Sequence, residues 1–237
     1  MFKKLSFVIV LLIFTSCNEL QQVVNNLPTS TNEIGLSQLQ MANGLKEALD
    51  LGIEKQVSKL TAKDGFFRNE LVKIILPKEL QKVDKGLRDI GLGKLADEGL
   101  KVLNRAAENA VGKATPIFID AVKNINFNDA KSILLGNDNA ATNYLKSNTE
   151  TALFTSFKPV IKNSFSNVGA DKIWNNLITK YNAIPFTKNV NPDLTSYVTS
   201  EALKGVYIMI EVEEKEIRTK TSSRATDLLK KVFALQD

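Results

Sequence analysis

A chain of 237 residues with no histidine and one cysteine has few chemistries open to it. Zinc sites built from Cys and His are excluded, as are Cys–His and Ser–His nucleophilic pairs. Catalysis would fall to carboxylates, Lys, Tyr or Ser. Among the groupings that could work, Asn104, Arg105 and Glu108 form the strongest polar cluster, with the last two spaced to pair along a helix. Open to water, that pair contributes about 0–1 kcal/mol. Covered by a second layer of helices, it becomes a buried pair that fixes packing or lines a pocket, and the structural role is the preferred one. Asn126, Asn128, Asp129, Asn137, Asp138 and Asn139 supply oxygens of the kind calcium takes, but without the alternate spacing and terminal Glu of a calcium loop. Helix capping accounts for them, and neither metal nor cofactor is expected. Gly91-Leu92-Gly93-Lys94 would need Gly at the position of Arg88 and Ser or Thr at that of Leu95 to be a phosphate loop, so it reads as a helix stop. The run Glu211, Glu213, Glu214, Glu216 reads as a solvated face. Phe154, Phe157, Phe165, Trp174 and Tyr181 concentrate aromatics that belong to a core by default. Where a bundle opens around them, they would line an apolar pocket for a lipid or other hydrophobic ligand. Phe66-Phe67 poses the same choice between a core satellite, the preferred reading, and an exposed contact for membrane or partner.

The one thiol ends an export pattern. Lys3 and Lys4 precede an apolar run from Leu5 to Phe14 broken only by Ser6, and Thr15-Ser16 leads into Cys17. Positive, apolar, then small is the order of a cleaved secretory signal, and the apolar run is half of the ~20 residues that span a bilayer as a helix. A cysteine directly after the cleavage point resembles the lipobox of bacterial lipoproteins, whose thiol receives a diacylglycerol and becomes the new N-terminus. That resemblance implies a chain acylated at Cys17, palmitate among its acyl groups, and fixed to the envelope membrane. The expected organisation is a signal over 1–16, a lipid anchor and polar tether over 17–35, and a helical domain over 36–237. The retention rule known for some lipoproteins would place it in the outer membrane, facing the periplasm. Loss of Lys3 and Lys4 leaves 29 basic against 26 acidic residues, a net charge of +3. No basic stripe of the kind that binds nucleic acid stands out.

The elements that must position these groups are helical. Met41, Leu45, Ala48, Leu49, Ile53, Val57 and Leu60 follow three- and four-residue steps, the mark of one buried helix face. Val72 to Leu76 is the one candidate extended segment, and Lys78 to Ile90 the next helix, closed by Gly91. A long helix is predicted from Lys94 to Lys123 with an alanine-rich stripe, bent or divided by Pro116. Asn126 or Asn128 caps the helix that ends at Gly136. Asp138 to Lys146 and Thr149 to Val168 read as two helices, the second kinked at Pro159. Asp171 opens a helix holding Trp174 and Tyr181, and 184–192 is a loop. Asp193 starts a helix of about 25 residues, supported by Glu211–Lys215 and Glu214–Arg218 at i,i+4. Thr226 to Leu235 is the last. Seven to nine helices make an all-α, single domain.

Several stretches resemble a bacterial lipoprotein family catalogued as domain of unknown function 4197. They are Gly44 to Leu49, Ile74 to Leu80, Gly91-Leu92-Gly93 with Ala96-Asp97, and Asn104 to Glu108. They continue with Phe127 to Gly136, Ala140-Ala141-Thr142, Tyr197-Val198-Thr199 and Thr226 to Phe233. Lys220 to Ser223 stands where that family usually has a proline-led turn. The resemblance implies a helical, exported chain and transfers no functional residue. The reading that follows is a lipid-anchored envelope protein whose helical module binds a hydrophobic ligand or an envelope protein without catalysing a reaction. The alternatives are an envelope hydrolase using carboxylates, which needs two acids ~5–9 Å apart in a deep cleft, and a structural lipoprotein that assembles with itself.

Overall fold

The helix that begins after Asp193 is apolar on more than one face, and that determines its place. In the computed structural model, which describes residues 36–89, 91, 93–167, 171, 172, 179, 189 and 194–236, it runs over Leu194–Thr219 and is enclosed by its neighbours. The described residues contain eight α-helices and no strand. They are α1 (Gln38–Thr61), α2 (Lys78–Asp89), α3 (Gly93–Val111), α4 (Ala114–Lys123), α5 (Phe127–Leu134), α6 (Ala140–Asn167), α7 (Leu194–Thr219) and α8 (Asp227–Phe233). Short 3-10 turns follow α7 and α8. The protein is all-α, and the helices belong to the compact unit Leu39–Asp237, α1 starting one residue earlier.

The centre is built from α3, α6 and α7, each packed along the other two. Helix α6 contributes Leu145, Leu153, Phe157, Ile161 and Phe165 at four-residue steps, all buried, with Thr149 between the first two. Helix α3 meets it with Leu103, Ala106, Ala107 and Ala110, which have no exposed surface. Small side chains on α3 let the bulky ladder of α6 approach closely. Every apolar residue expected to line α1 is buried. That helix reaches α8 through Gly44, where an added Cβ would lie 2.5 Å from Val232 Cγ2. Tyr207 of α7 stands edge-on to Phe118 of α4, ring centroids 6.0 Å apart. Its hydroxyl lies 2.8 Å from Thr149 Oγ1, and burial pushes its pKa up to about 12.

One expected break is present and one is not. The predicted helix from Lys94 to Lys123 is divided at Gly112-Lys113, three residues before Pro116. Proline lacks the N–H that would bond the carbonyl four residues back, and its ring crowds that carbonyl, which here belongs to Gly112. The chain breaks there, leaving Pro116 in the first turn of α4, where proline is tolerated. Conversely, the two helices predicted over 138–168 are one, α6. Asn148 and Thr149 turn their side chains back onto the Tyr144 and Leu145 carbonyls, so the polar pair does not interrupt the helix. Pro159 also lies inside α6 on an exposed face, where water can serve the carbonyl it leaves unpaired. Asn126 caps α5 reciprocally with Asp129, which absorbs two of the oxygens that resembled a calcium set. The predicted helix after Asp171 and the loop over 184–192 lie outside the described residues, apart from isolated positions.

Candidate functional site

Asn104 and Glu108 sit one turn apart on α3, facing the segment that joins α1 to α2. Residues 71–76 alternate: Val72, Ile74 and Leu76 are buried while Leu71 and Ile75 are exposed. No strand pairs with this extended stretch. Asn104 does so instead, its Oδ1 accepting from Ile74 N at 2.8 Å and its Nδ2 donating to Ile74 O at 2.9 Å. The same Nδ2 donates to Leu100 O at 2.8 Å, within its own helix. A turn further, Glu108 Oε1 accepts from Phe66 N at 3.3 Å, and Arg105 Nη1 lies 2.7 Å from Oε2. Arg105 also stands 3.5 Å from Asp64, whose φ of 63° marks the tight turn after α1. Glu108 is buried and Arg105 about half exposed, so a second layer covers one partner only. Burial raises the Glu108 pKa above its ordinary value, against the lowering effects of Phe66 N–H and Arg105. The three residues expected to cluster are brought together: Asn104 and Glu108 bind backbone of their own chain, and Arg105 pairs with the Glu108 and Asp64 carboxylates. The cluster is a clasp.

The run of acids on α7 corrects the sequence reading. Glu213 and Glu214 are buried, because α7 is covered on adjacent faces and two successive residues, 100° apart, point into different neighbours. Glu213 turns to α1, accepting from Lys55 Nζ at 2.6 Å and from the Gln56 amide. Glu214 turns to the start of α6. It accepts from the backbone N–H of Ala141 at 2.9 Å and of Thr142 at 2.8 Å, and from Thr142 Oγ1 at 2.8 Å. Arg218, one turn on, donates to Glu214 Oε1 through Nε at 3.0 Å and Nη2 at 2.7 Å. The same guanidinium donates to Ile133 O at 2.8 Å and Leu134 O at 3.3 Å, the last carbonyls of α5. An ion pair on one helix thus places its negative end at the N-terminus of α6 and its positive end at the C-terminus of α5. Each charge complements the exposed end of a helix dipole. The cavity beside it, lined in part by Gly52, Glu213, Glu214 and Arg218, has a volume of about 20 Å³, room for one water. Both carboxylates are committed to cations and N–H groups, and the space between them and α1 admits no substrate.

Of the aromatic group, Phe157 and Phe165 are core residues, and Phe154 is half-buried beneath Lys158 Nζ, 5.8 Å from its ring centroid. Trp174 and Tyr181 lie outside the described residues, as does Cys17. A more open space lies between α4 and α6, a groove of about 400 Å³. Pro116, Ile117, Ala121 and Ala152 give it apolar walls, and Asp120, Asn124, Tyr144 and Asn148 a polar margin. The Tyr144 hydroxyl reaches Asp129 at 3.4 Å, and burial followed by that negative charge pushes its pKa up. The sequence gives no advance sign of this groove. Its walls are single exposed or half-buried residues drawn from two helices that are separate in sequence.

An all-α fold whose buried ions join helix ends, with an amphipathic groove on its surface, defines a helical module without an evident catalytic centre among the described residues. A family model described as protein of unknown function (DUF4197) matches residues 35–234. The chain belongs to that family. No match was found among curated proteins or among solved structures.

Proposed function

We propose that this protein is a lipid-anchored component of a bacterial cell envelope, in the outer membrane and facing the periplasm. On this reading it is held through acyl chains on Cys17, and its helical unit binds a hydrophobic ligand or partner protein without transforming it. The observation that carries the binding role is the contrast between the two concave features. The smaller one, walled mainly by aliphatic residues of α1 and α7 beside Glu213, Glu214 and Arg218, has room for a single water, and its two acids are taken up by Lys55 and Gln56 and by the start of α6. The open one is large enough for a small molecule or a partner's side chains, and pairs an apolar strip of Pro116, Ile117, Ala121 and Ala152 with an equal number of polar residues. The export pattern ending at Cys17 supports the location.

The test is native purification in mild detergent followed by mass spectrometry of whatever lipid or protein accompanies the chain. It is run beside Ala152→Trp, which fills the groove from an exposed position. The bound species should fall at least tenfold in the variant while the circular dichroism spectrum is unchanged. Equal recovery from both proteins rejects the groove as the site. Turnover of an envelope lipid or wall fragment by the purified protein rejects the non-enzymatic reading.

A further inference from the structure

Among the described connecting residues, the outward face of the clasped segment before α2 carries two large exposed apolar side chains close together. Leu71 is 62% and Ile75 54% exposed, on the side of the segment opposite the buried Val72, Ile74 and Leu76. Beside them Phe67 is half-buried, and two ammonium groups stand over its ring, Lys73 Nζ at 4.6 Å and Lys101 Nζ at 5.7 Å from the centroid. Arg68 is exposed on the same loop. Of the nearby acids, Asp64 is neutralised by Arg68 at 3.4 Å and Arg105 at 3.5 Å, Glu108 is inside the clasp and Asp97 pairs with Arg88, which leaves Glu70 and Glu98, a turn before Lys101, as exposed acids.

This face is held rigidly. Asn104 fixes Ile74 from both sides, Tyr197 Oη donates to Ile75 O at 2.8 Å, and Asn69 O accepts from the N–H groups of Val72 and Lys73. Two large aliphatic side chains are thereby presented to water on a segment whose backbone is hydrogen-bonded at Val72, Lys73, Ile74 and Ile75. An apolar tip ringed by cations is the pattern that enters the headgroup region of an anionic bilayer, aliphatic groups toward the acyl boundary and ammonium groups at phosphate level. A rigid ring–lysine stack suits it further, since a lysine over an aromatic face keeps its outward side free for phosphate.

We propose that Leu71 and Ile75, with Lys73 and Lys101, form a second contact by which the folded unit lies against a membrane surface containing anionic phospholipid. The proposal rests on the lipid-anchor reading in one respect. Two aliphatic residues give only weak binding alone, and attachment through Cys17 raises the effective concentration at the surface, which makes weak binding sufficient.

The test uses the full chain, purified from membranes, carrying Leu71→Cys labelled with a polarity-sensitive fluorophore. An acylated Cys17 has no thiol to label, so labelling at a single position checks the anchor independently. The protein is reconstituted on vesicles of phosphatidylcholine with and without about a third phosphatidylglycerol, and fluorescence is quenched by lipids brominated near the headgroup. Quenching at position 71 is expected on anionic vesicles, at least fivefold above that of a label at Leu135→Cys. It should be lost on adding Lys73→Glu with Lys101→Glu. A chain that floats with vesicles while the label at 71 stays unquenched overturns this contact and leaves the anchor standing. Equal quenching on neutral vesicles also overturns it, as does burial of the label by a second protein. A chain that floats with neither composition overturns both readings.

Discussion

Asn104 uses three of the hydrogen-bonding positions on its amide at once, and no other side chain of its size could do so. Replacing it by Ala leaves Ile74 N–H and C=O buried without partners, at about 1–3 kcal/mol for each unsatisfied group. Asn104→Ala is expected to lower the unfolding free energy by about 2–4 kcal/mol, read as a shift in urea midpoint at constant slope. Asn104→Asp keeps the acceptor for Ile74 N but sets a carboxylate against two carbonyls. Its penalty should shrink as the pH falls and the carboxyl gains a proton to donate. Glu108 adds a pH dependence of its own. Its folded pKa is raised above the ordinary 4.5, so the native state holds the proton more tightly than the unfolded chain. That contribution is fully present below the unfolded value and is lost as pH rises through the higher folded one. In parallel urea titrations from about pH 3.5 to pH 7, the wild type should therefore lose stability relative to Glu108→Gln. A constant gap between the two would contradict the assigned shift.

The boundary between α5 and α6 depends on charges supplied by a third helix. Glu214→Ala leaves Arg218 buried without its anion and strips the start of α6 of three donors' acceptor. Removing one member of a buried pair costs about 3–5 kcal/mol. Arg218→Met should cost a comparable amount, and the double variant well short of the sum, because each single change strands the other charge. A double-mutant cycle by denaturant titration measures the shortfall; additive losses would mean that the two residues serve the helix ends independently. Gly205 is a second packing determinant of α7. A Cβ there would meet Phe66 Cε1 at 2.8 Å and Val72 Cβ at 3.2 Å. Alanine normally gains about 1 kcal/mol over glycine within a helix, yet Gly205→Ala should lower the melting temperature, since the clasp holds Phe66 and Val72 in place. These dependencies explain what the sequence disclosed at this level. Periodicity found α1 and placed the start of α7 within a residue, and Asn126, one of two candidates, is the residue that caps α5. It could not show that Glu213 and Glu214 are both inside, because an acidic run on an otherwise amphipathic helix has the same pattern whether one or two of its faces are covered.

Across the whole molecule, the family and the all-α class were legible because they rest on many weak signals in a fixed order, from Gly44 to Phe233. The groove was not, since it exists only in the angle between α4 and α6. The cluster at Asn104 was legible as a group and its role only after Ile74 was seen between its atoms. Cys17 is the reverse case, a single atom on which the proposed location of the entire chain depends. If its sulfur carries acyl chains, the protein in growing cells should sediment with membranes and resist extraction by high salt, and metabolic labelling with a fatty-acid analogue should mark it. A single chain would give only reversible binding at about 0.8 kcal/mol per buried methylene, whereas the three chains implied by the lipoprotein resemblance would hold it firmly. Cys17→Ser should abolish the label and leave the apolar run from Leu5 to Phe14 uncleaved, so the chain migrates as a heavier species. The helical unit lacks thiol and imidazole altogether and does not draw on Cys17 for any described contact. Its urea midpoint should therefore be the same in both forms, separating attachment from folding. A wild-type chain recovered with its leader intact, unlabelled and free of membranes would remove the proposed location, while the clasp, the α5–α6 junction and the groove would stand unchanged.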